Sequence, residues 1–501
     1  MIKYIKYLLV FLLATGFVAC SEDEGAQILG GLYEKVDIPP EPGMNLVGRV
    51  TDGTGPIEGV VVSDGVTVTT TDAQGIYQMR VKRNAPFVFV SVPAEYEIPV
   101  ENGMPKIYKK IAMGDNDVVQ RSFKLERTGK KKRFTLLALA DVQIGRDDEV
   151  TMLDEEVLPL LIPYVQQELE APVYGISLGD LVWDNMPFHE VYKQRIRKIG
   201  VPVFQVIGNH DHNKAITVDA DADASFEAAF GPTYYSYNIG DCHFIVLDDV
   251  LYTGSSSYTA DITDEQMAWL EQDLKYVPKD KLIIIGLHIA TSRRNCPSSH
   301  VADYKELYAL LDGYNVRILS GHSHNNYTTT ISETIEENTL GAVMGAYWNG
   351  EELCNDGSPR GYAVYEIEGN RIRNWYYKGT AFPREYQMYL YGPGEAVSEK
   401  YRDGLILNIF NWHTTWTVEV QEDNAGWVTL PSDSNLRYEM DRRAYDFMFG
   451  DTKPEHRPTA EPESQNDHMF YYKPASESWG TVTVRASDPY GNVYTESIRN
   501  E

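Results

Sequence analysis

The chain has 501 residues, 43% hydrophobic and 24% charged, a composition that buries a sizeable core and excludes a disordered or fibrous polymer. At about 150 residues per domain the length predicts roughly three domains. Its 45 Lys and Arg stand against 73 Asp and Glu, a net charge of −28, which disfavours nucleic acid as a partner because phosphate backbones reward a positive face.

Met1 to Cys20 reads MIKYIKYLLVFLLATGFVAC: two lysines, an apolar run from Tyr7 and a small-residue ending, the pattern of a secretory signal peptide. The apolar run, about 12 residues, is too short for the roughly 20 that cross a bilayer. The ending Val18-Ala19-Cys20 resembles a bacterial lipobox, which implies cleavage after residue 19 and lipidation of Cys20. Ser21-Glu22-Asp23-Glu24 resembles the acidic tag of Bacteroidetes-type surface lipoproteins, which implies a lipid anchor in the outer membrane with the protein facing outward. Setting Cys20 aside leaves Cys242, Cys296 and Cys354, an odd number that rules out a disulfide framework but permits one bridge. Cys242, in DCHFIVLDD, reads as a buried core thiol, whereas Cys296 and Cys354 lie in loop-like stretches and could pair, a connectivity that the sequence does not fix.

Residues 20–42 are rich in Gly, Pro and acids and read as a tether. Residues 43–127 carry short Val/Thr/Tyr runs broken by Gly, Asp and Pro, which predicts a small β-sandwich. A basic run from Arg127 to Arg133 reads as a flexible, solvated linker. From there to residue 380, the apolar runs FTLLALA, VYGISL, VFQVIG, HFIVLD, LIIIGL and VRILS alternate with EEVLPLLIPYVQQELE, DEQMAWLEQDLKYV and DYKELYALLDGY, whose apolar spacing is helical. Strands alternating with helices predict a layered α/β domain over 132–380. Over 381–501 the helical spacing disappears and a second all-β sandwich is expected; in it Trp412 and Trp416 read as one face of a strand and His413 as the other.

The chemistry follows the central strands. FTLLALA runs into Asp141-Val-Gln143, VYGISL into Gly179-Asp180, VFQVI into Gly208-Asn209-His210-Asp211, LIIIGL into His288, and VRILS into Gly321-His322-Ser323-His324. Open α/β sheets place ligands at the carboxyl ends of their strands, and His, Asp and Asn are the donors that bind divalent metals through mixed nitrogen and oxygen. Five such sets in one domain point to a metal site rather than to scattered structural histidines.

The order D-x-[HQ], GD, GNHD, H, GHSH resembles the calcineurin-like metallophosphoesterase family, a four-layer β-sandwich flanked by helices with a binuclear metal centre. The flanking sandwiches resemble the N- and C-terminal modules that accompany this enzyme in Bacteroidetes lipoproteins. The resemblance implies a hydrolase in which a metal-bridging hydroxide attacks a phosphate ester. It implies that Asp141, Gln143, Asp180 and His324 surround one cation, that Asp180 bridges, and that Asn209, His288 and His322 complete the other. It further implies that His210 protonates the leaving oxygen, with Asp211 holding its ring. Family members usually carry histidine where Gln143 stands. An amide oxygen is a harder, weaker donor, so among Mn, Mg, Zn or Fe the site is expected to favour Mn or Mg.

Around this centre, Arg293 and Arg294 are candidate anion binders, and Tyr347, Trp348, Asp356 and Arg360 are candidate pocket residues. His212 reads either as a substrate contact or as a surface neighbour of the loop. The expected substrate is an extracellular phosphorylated small molecule, lipid headgroup or glycan, with mono- and diester hydrolysis both open. The competing expectation is a catalytically weak or inactive surface glycan-binding lipoprotein.

Overall fold

Parallel strands buried on both faces need uninterrupted apolar runs, and the runs at 133–139, 173–178, 203–206, 242–246, 282–286 and 315–320 become the centre of the molecule. The computed structural model describes residues 38–114, 118–254, 257–292, 300–345, 352–450 and 461–500. One five-stranded sheet has the order Val203–Val206, Val173–Leu178, Arg133–Leu139, Gly361–Glu368, Arg371–Gly379, the first three strands parallel. A six-stranded sheet has the order Tyr235–Ile239, Cys242–Val246, Leu282–Gly286, Asn315–Ser320, Ile335–Thr339, Tyr327–Thr330.

Alternation along the first sheet fixes its two faces. Leu136, Ala138, Ile176 and Val206 share one apolar cluster with Phe244 and Ile284 of the second sheet. Leu137, Leu139, Val173 and Val203 instead join Leu153, Leu158, Leu161 and Tyr192 of the covering helices. The result is the expected mixed α/β sandwich with helices outside.

The first covering helix starts earlier than its apolar spacing indicates, at Asp147, because Glu149 Oε2 accepts the N–H groups of Gly145 and Arg146 at 2.7 and 3.0 Å. A π-helical turn, Leu153–Val157, leads into Leu158–Gln167, which carries Pro163 inside it. Helix Phe188–Ile196 is an element that its short, mostly polar sequence does not predict.

Each flanking region is a pair of four-stranded sheets. In the N-terminal one, Leu46–Thr51 pairs with Ile76–Met79, Val119–Gln120 and Phe123–Lys124, and Val61–Ser63 lies between Val68–Thr70 and Phe87–Ser91, which Tyr108–Lys110 flanks. The C-terminal region has Met388–Tyr391, Leu405–Ile409, Met469–Tyr472 and Asn435–Leu436 in one sheet, with Thr417–Glu422, Val428–Leu430, Thr481–Ser487 and Val493–Arg499 in the other. It also holds a short helix, Arg442–Phe449, started by Asp441, whose side chain accepts from Arg443 N and Ala444 N. Trp412 and Trp416 are buried in this module's core but precede its strand instead of lying on one. His413 points elsewhere, with Nε2 2.9 Å from Thr330 Oγ1 of the central sheet.

The basic run is not a loose joint. Lys131 pairs with Glu97 at 3.0 Å, Lys130 with Asp241, and Arg133 with Glu368 at 2.9 Å. Cys242 is buried as expected and Cys354 is a buried free thiol; its suggested partner Cys296 lies outside the described residues. Residues 40–501 form one compact unit, and among the described residues no helix is long and apolar enough to cross a membrane.

Candidate metal centre

Register brings the strand-end loops together. Leu139 pairs with Ser177 and Leu178 with Val206 in the first sheet, while Val246 pairs with Gly286 and Gly286 with Leu319 in the second. All five polar sets therefore leave their strands along one edge of the sandwich.

One group of donors converges on His288. Its Nε2 lies 3.3 Å from Asp180 Oδ1, 3.0 Å from Asn209 Oδ1 and 3.2 Å from His322 Nδ1. His288 Nδ1 donates to the Leu178 carbonyl at 2.8 Å, a bond that fixes the ring and turns Nε2 towards the other donors. Asp180, His288 and His322 together offer atoms that all lie within 4.8 Å of one another. Beside them a second group forms: Asp141 Oδ1 stands 3.2 Å from His324 Nε2, and Gln143 Nε2 donates to Asp180 Oδ2 at 2.8 Å. A half-turn of the Gln143 amide exchanges its oxygen for its nitrogen, so the residue can equally present Oε1.

The backbone is bent to hold these side chains. Of the nine non-glycine residues with positive φ among the described residues, six are Asp141, Gln143, Asp180, Asp184, His322 and His324. Left-handed backbone costs roughly 1–3 kcal/mol per residue and survives where surrounding structure enforces it, characteristically at functional sites. Glycine supplies the closest approaches: a Cβ on Gly208 would collide with the backbone nitrogen and carboxylate of Asp180, and one on Gly321 would sit 2.6 Å from Asp141 Oδ2.

The electrostatics match a cation site. Burial raises the Asp180 carboxyl, but His288 and His210 outweigh it and hold the group well below the usual carboxylate range. Burial works against a charged His288, yet the Asp180 carboxylate raises its ring to about 10, while burial and the neighbouring His288 push His322 down to about 3. Asp141 Oδ1 is buried and makes no hydrogen bond. Two carboxylates, two amides and three imidazoles around unspent lone pairs fit divalent cations of the Mn, Mg, Zn or Fe type.

His210 borders this centre, and the residue that holds it differs from the one expected. His210 Nδ1 is 2.8 Å from Asp184 Oδ1, its ring stacks on Trp183 at 3.7 Å, and Lys214 binds the other Asp184 oxygen. Asp211 does not touch the ring. It is fully buried and accepts from Leu181 N, Val182 N and Gly208 N, with His189 Nε2 3.2 Å away, so it ties two strand-end loops together. Asp184 stands four residues after Asp180 in GDLVWDN, in the loop between strand Val173–Leu178 and helix Phe188–Ile196, where no periodicity marks a face, and so gave no signal.

Other assignments also change. Asp356 is completely buried: its carboxylate accepts Asn326 N at 2.8 Å and the N–H and hydroxyl of Ser358, with His468 3.3 Å away. Arg360 is spent on the covering helix, reaching Glu156 at 3.3 Å and Met152 Sδ at 3.2 Å. Neither presents a free polar group to substrate. His212 is buried and belongs to a separate cluster. Arg293, Arg294, Tyr347, Trp348 and Cys20 lie outside the described residues.

Two contributors went unseen in the sequence. Asp249 accepts His288 N at 3.0 Å and Ile289 N at 2.7 Å, anchoring the His288 loop. Tyr258, 36% exposed, stands edge-on to His322 with ring centres 6.2 Å apart. His210 and His322 remain partly exposed, which locates the open side of the centre.

The model for the N-terminal region of calcineurin-like phosphoesterases matches residues 44–128, that for the calcineurin-like phosphoesterase domain matches 134–326, and that for the C-terminal region matches 337–494. No curated protein matches the chain. Among solved structures, a dimetal phosphatase from Danio rerio is 15% identical, with TM-score 0.37, covering 50% of this chain and 98% of its own. GAP50, the anchor in the inner membrane complex of Plasmodium, is 17% identical, with TM-score 0.34, covering 50% and 86%. A 5'-nucleotidase from Candida albicans SC5314 is 12% identical, with TM-score 0.29, covering 49% and 53%. Three models that follow one another in order along the sequence carry the assignment, and the chain belongs to the calcineurin-like phosphoesterase family.

Proposed function

We propose that the chain hydrolyses a phosphate ester held at the edge where Asp180, His288 and His322 meet, on a substrate outside the cell. The observation that carries this reading is the convergence of Asp180 Oδ1, Asn209 Oδ1 and His322 Nδ1 on His288 Nε2, next to the Asp141 and His324 pair. Asp141, Gln143, Asp180 and His324 would hold one divalent cation, and Asp180, Asn209, His288 and His322 the other. When bound, such a pair neutralises charge developing on phosphoryl oxygens and makes water a nucleophile at neutral pH.

The remaining chemistry falls to His210. Asp184 accepts the proton on Nδ1 and the Trp183 face restrains the ring, so Nε2 is left to donate its proton to the departing oxygen. Burial lowers the readiness of His210 to charge, but Asp180 and Asp184 outweigh it and raise its pKa above the ordinary imidazole value, which shifts the ring towards the protonated, donating form. Tyr258 forms a lip beside His322 against which the organic part of the substrate rests. Gln143 presents a hard oxygen donor and supports Mn or Mg. The complete donor set speaks against a domain that merely binds.

The signal-like segment and the acidic residues after Cys20 support a lipid-anchored, outward-facing enzyme, and the net charge of −28 favours small or singly charged esters over polyanions. The test is hydrolysis of p-nitrophenyl phosphate and bis-p-nitrophenyl phosphate with Mn²⁺, Mg²⁺, Zn²⁺ and Ca²⁺ in turn, beside His210→Ala. The reading expects turnover of one ester and a loss of ~10²- to 10⁴-fold in kcat on removing the acid. Equal rates for wild type and His210→Ala would overturn His210's role.

A further inference from the structure

A second histidine–carboxylate cluster lies behind the GNHD loop, and the proposed reaction does not use it. His212, Asp223 and Asp248 are all buried, and their ligand atoms lie within 4.8 Å of one another. They come from three separate places: the loop after Asn209–Asp211, the junction between helices Asp219–Ala222 and Ala224–Phe230, and the end of strand Cys242–Val246.

The orientation of His212 is fixed. Its Nδ1 donates to the Gly208 carbonyl at 2.9 Å, and its ring stacks on Tyr252 with centres 5.3 Å apart, so Nε2 is turned towards the carboxylates. His212 Nε2 lies 3.0 Å from Asp223 Oδ1, and both atoms are fully buried without a well-formed hydrogen bond. The same signature occurs in the metal centre, where Asp141 Oδ1 is 3.2 Å from His324 Nε2 and likewise makes no hydrogen bond. Donors that share one cation at bond lengths of ~2.1 Å stand about 3.0 Å apart in octahedral geometry and about 3.4 Å in tetrahedral geometry.

Charge points the same way. Asp219 borders the cluster, its carboxylate taking the Tyr252 N–H, so three carboxylates meet a single imidazole. Buried charge of one sign has to be compensated.

We infer that His212 Nε2, Asp223 and Asp248 bind a third divalent cation. Enclosure makes it a structural site: every donor is buried, and no side is left open for substrate. The ion braces the GNHD loop from behind, since His212 follows His210 by two residues and its ring is tied to Gly208. Its chemical class is a divalent ion that accepts one nitrogen among oxygen donors, such as Mn²⁺ or Zn²⁺.

The test is metal stoichiometry on the full chain, equilibrated with micromolar Mn²⁺ and measured by plasma mass spectrometry. Wild type is expected to hold three ions, Asp141→Asn/Asp180→Asn to keep one, and Asp223→Asn/Asp248→Asn to keep two. An anomalous scattering peak beside His212 Nε2 in wild-type crystals grown with Mn²⁺ gives the same answer without any variant, should the double substitution fail to fold. No peak at His212, together with no more than two ions in wild type, would overturn the inference. Failure of the catalytic reading shows separately, as an ion count that Asp141→Asn/Asp180→Asn leaves unchanged while the peak beside His212 remains.

Discussion

His210 owes its chemistry to Asp184, and the sequence concealed that. The GNHD motif suggests that the adjacent carboxylate holds the ring, but Asp211 is turned inward to four backbone and side-chain donors while Asp184 reaches back from another loop. Sequence adjacency loses to backbone direction. The left-handed turns at Asp141, Gln143, Asp180, His322 and His324 were equally hidden, because φ is not written in residue type except at glycine. The identities of the donors were legible because few residue types bind metals. His210 donates only while protonated, and Asp184 raises its pKa, so activity falls as pH rises through that pKa. Asp184→Asn withdraws the stabilising charge, so the alkaline limb of the kcat/KM profile should move to lower pH; an unmoved limb would remove Asp184 from the account.

The central strands were readable as elements because buried parallel strands are continuous Val, Ile and Leu runs. Tyr235–Ile239 and Arg371–Gly379 were not, since YSYNI and RIRNWYYKG mix polar and aromatic residues in the manner of edge strands. Helix Phe188–Ile196 was missed for the same kind of reason: FHEVYKQRI is short and mostly polar. Glu337, on strand Ile335–Thr339, shows how neighbouring elements brace the site. It accepts Thr291 N at 3.0 Å, Ser292 N at 3.1 Å and Ser320 Oγ at 2.9 Å, joining the loop after His288 to the strand before His322. Burial raises its pKa from 4.5 to about 7 despite these donors, so the folded state binds the proton more tightly than the unfolded chain does. Its contribution to stability is therefore fully present below pH 4.5 and is lost as pH rises to about 7. Glu337→Gln should flatten the dependence of Tm on pH across that window, and an unchanged slope would show that another group sets it.

Across the whole molecule the flanking sandwiches are built into the central one. Trp269, fully buried, packs edge-on against Phe89 of the N-terminal module at 6.1 Å and Tyr234 of the central domain at 5.3 Å, and Gln272 hydrogen-bonds Val66 and Val68. On the other side His468 contacts Asp356, which holds Asn326, and Glu463 accepts from Asn325 at 2.8 Å, so the C-terminal module steadies the segment just after His324. Such contacts between distant segments leave no periodic trace, which is why composition outlined three regions and said nothing of their union. Trp269→Ala should cost ~3–5 kcal/mol in urea unfolding and lower the N-terminal and central regions together; a separate N-terminal transition would show that the modules are independent. The central claim is a metal-dependent phosphoesterase centred on Asp180, and the most direct measurement is ester turnover by chelator-stripped protein as Mn²⁺ is returned. Wild type should regain activity with Mn²⁺ and Asp180→Asn should not. Turnover that survives stripping, or that Asp180→Asn recovers in full, would contradict it.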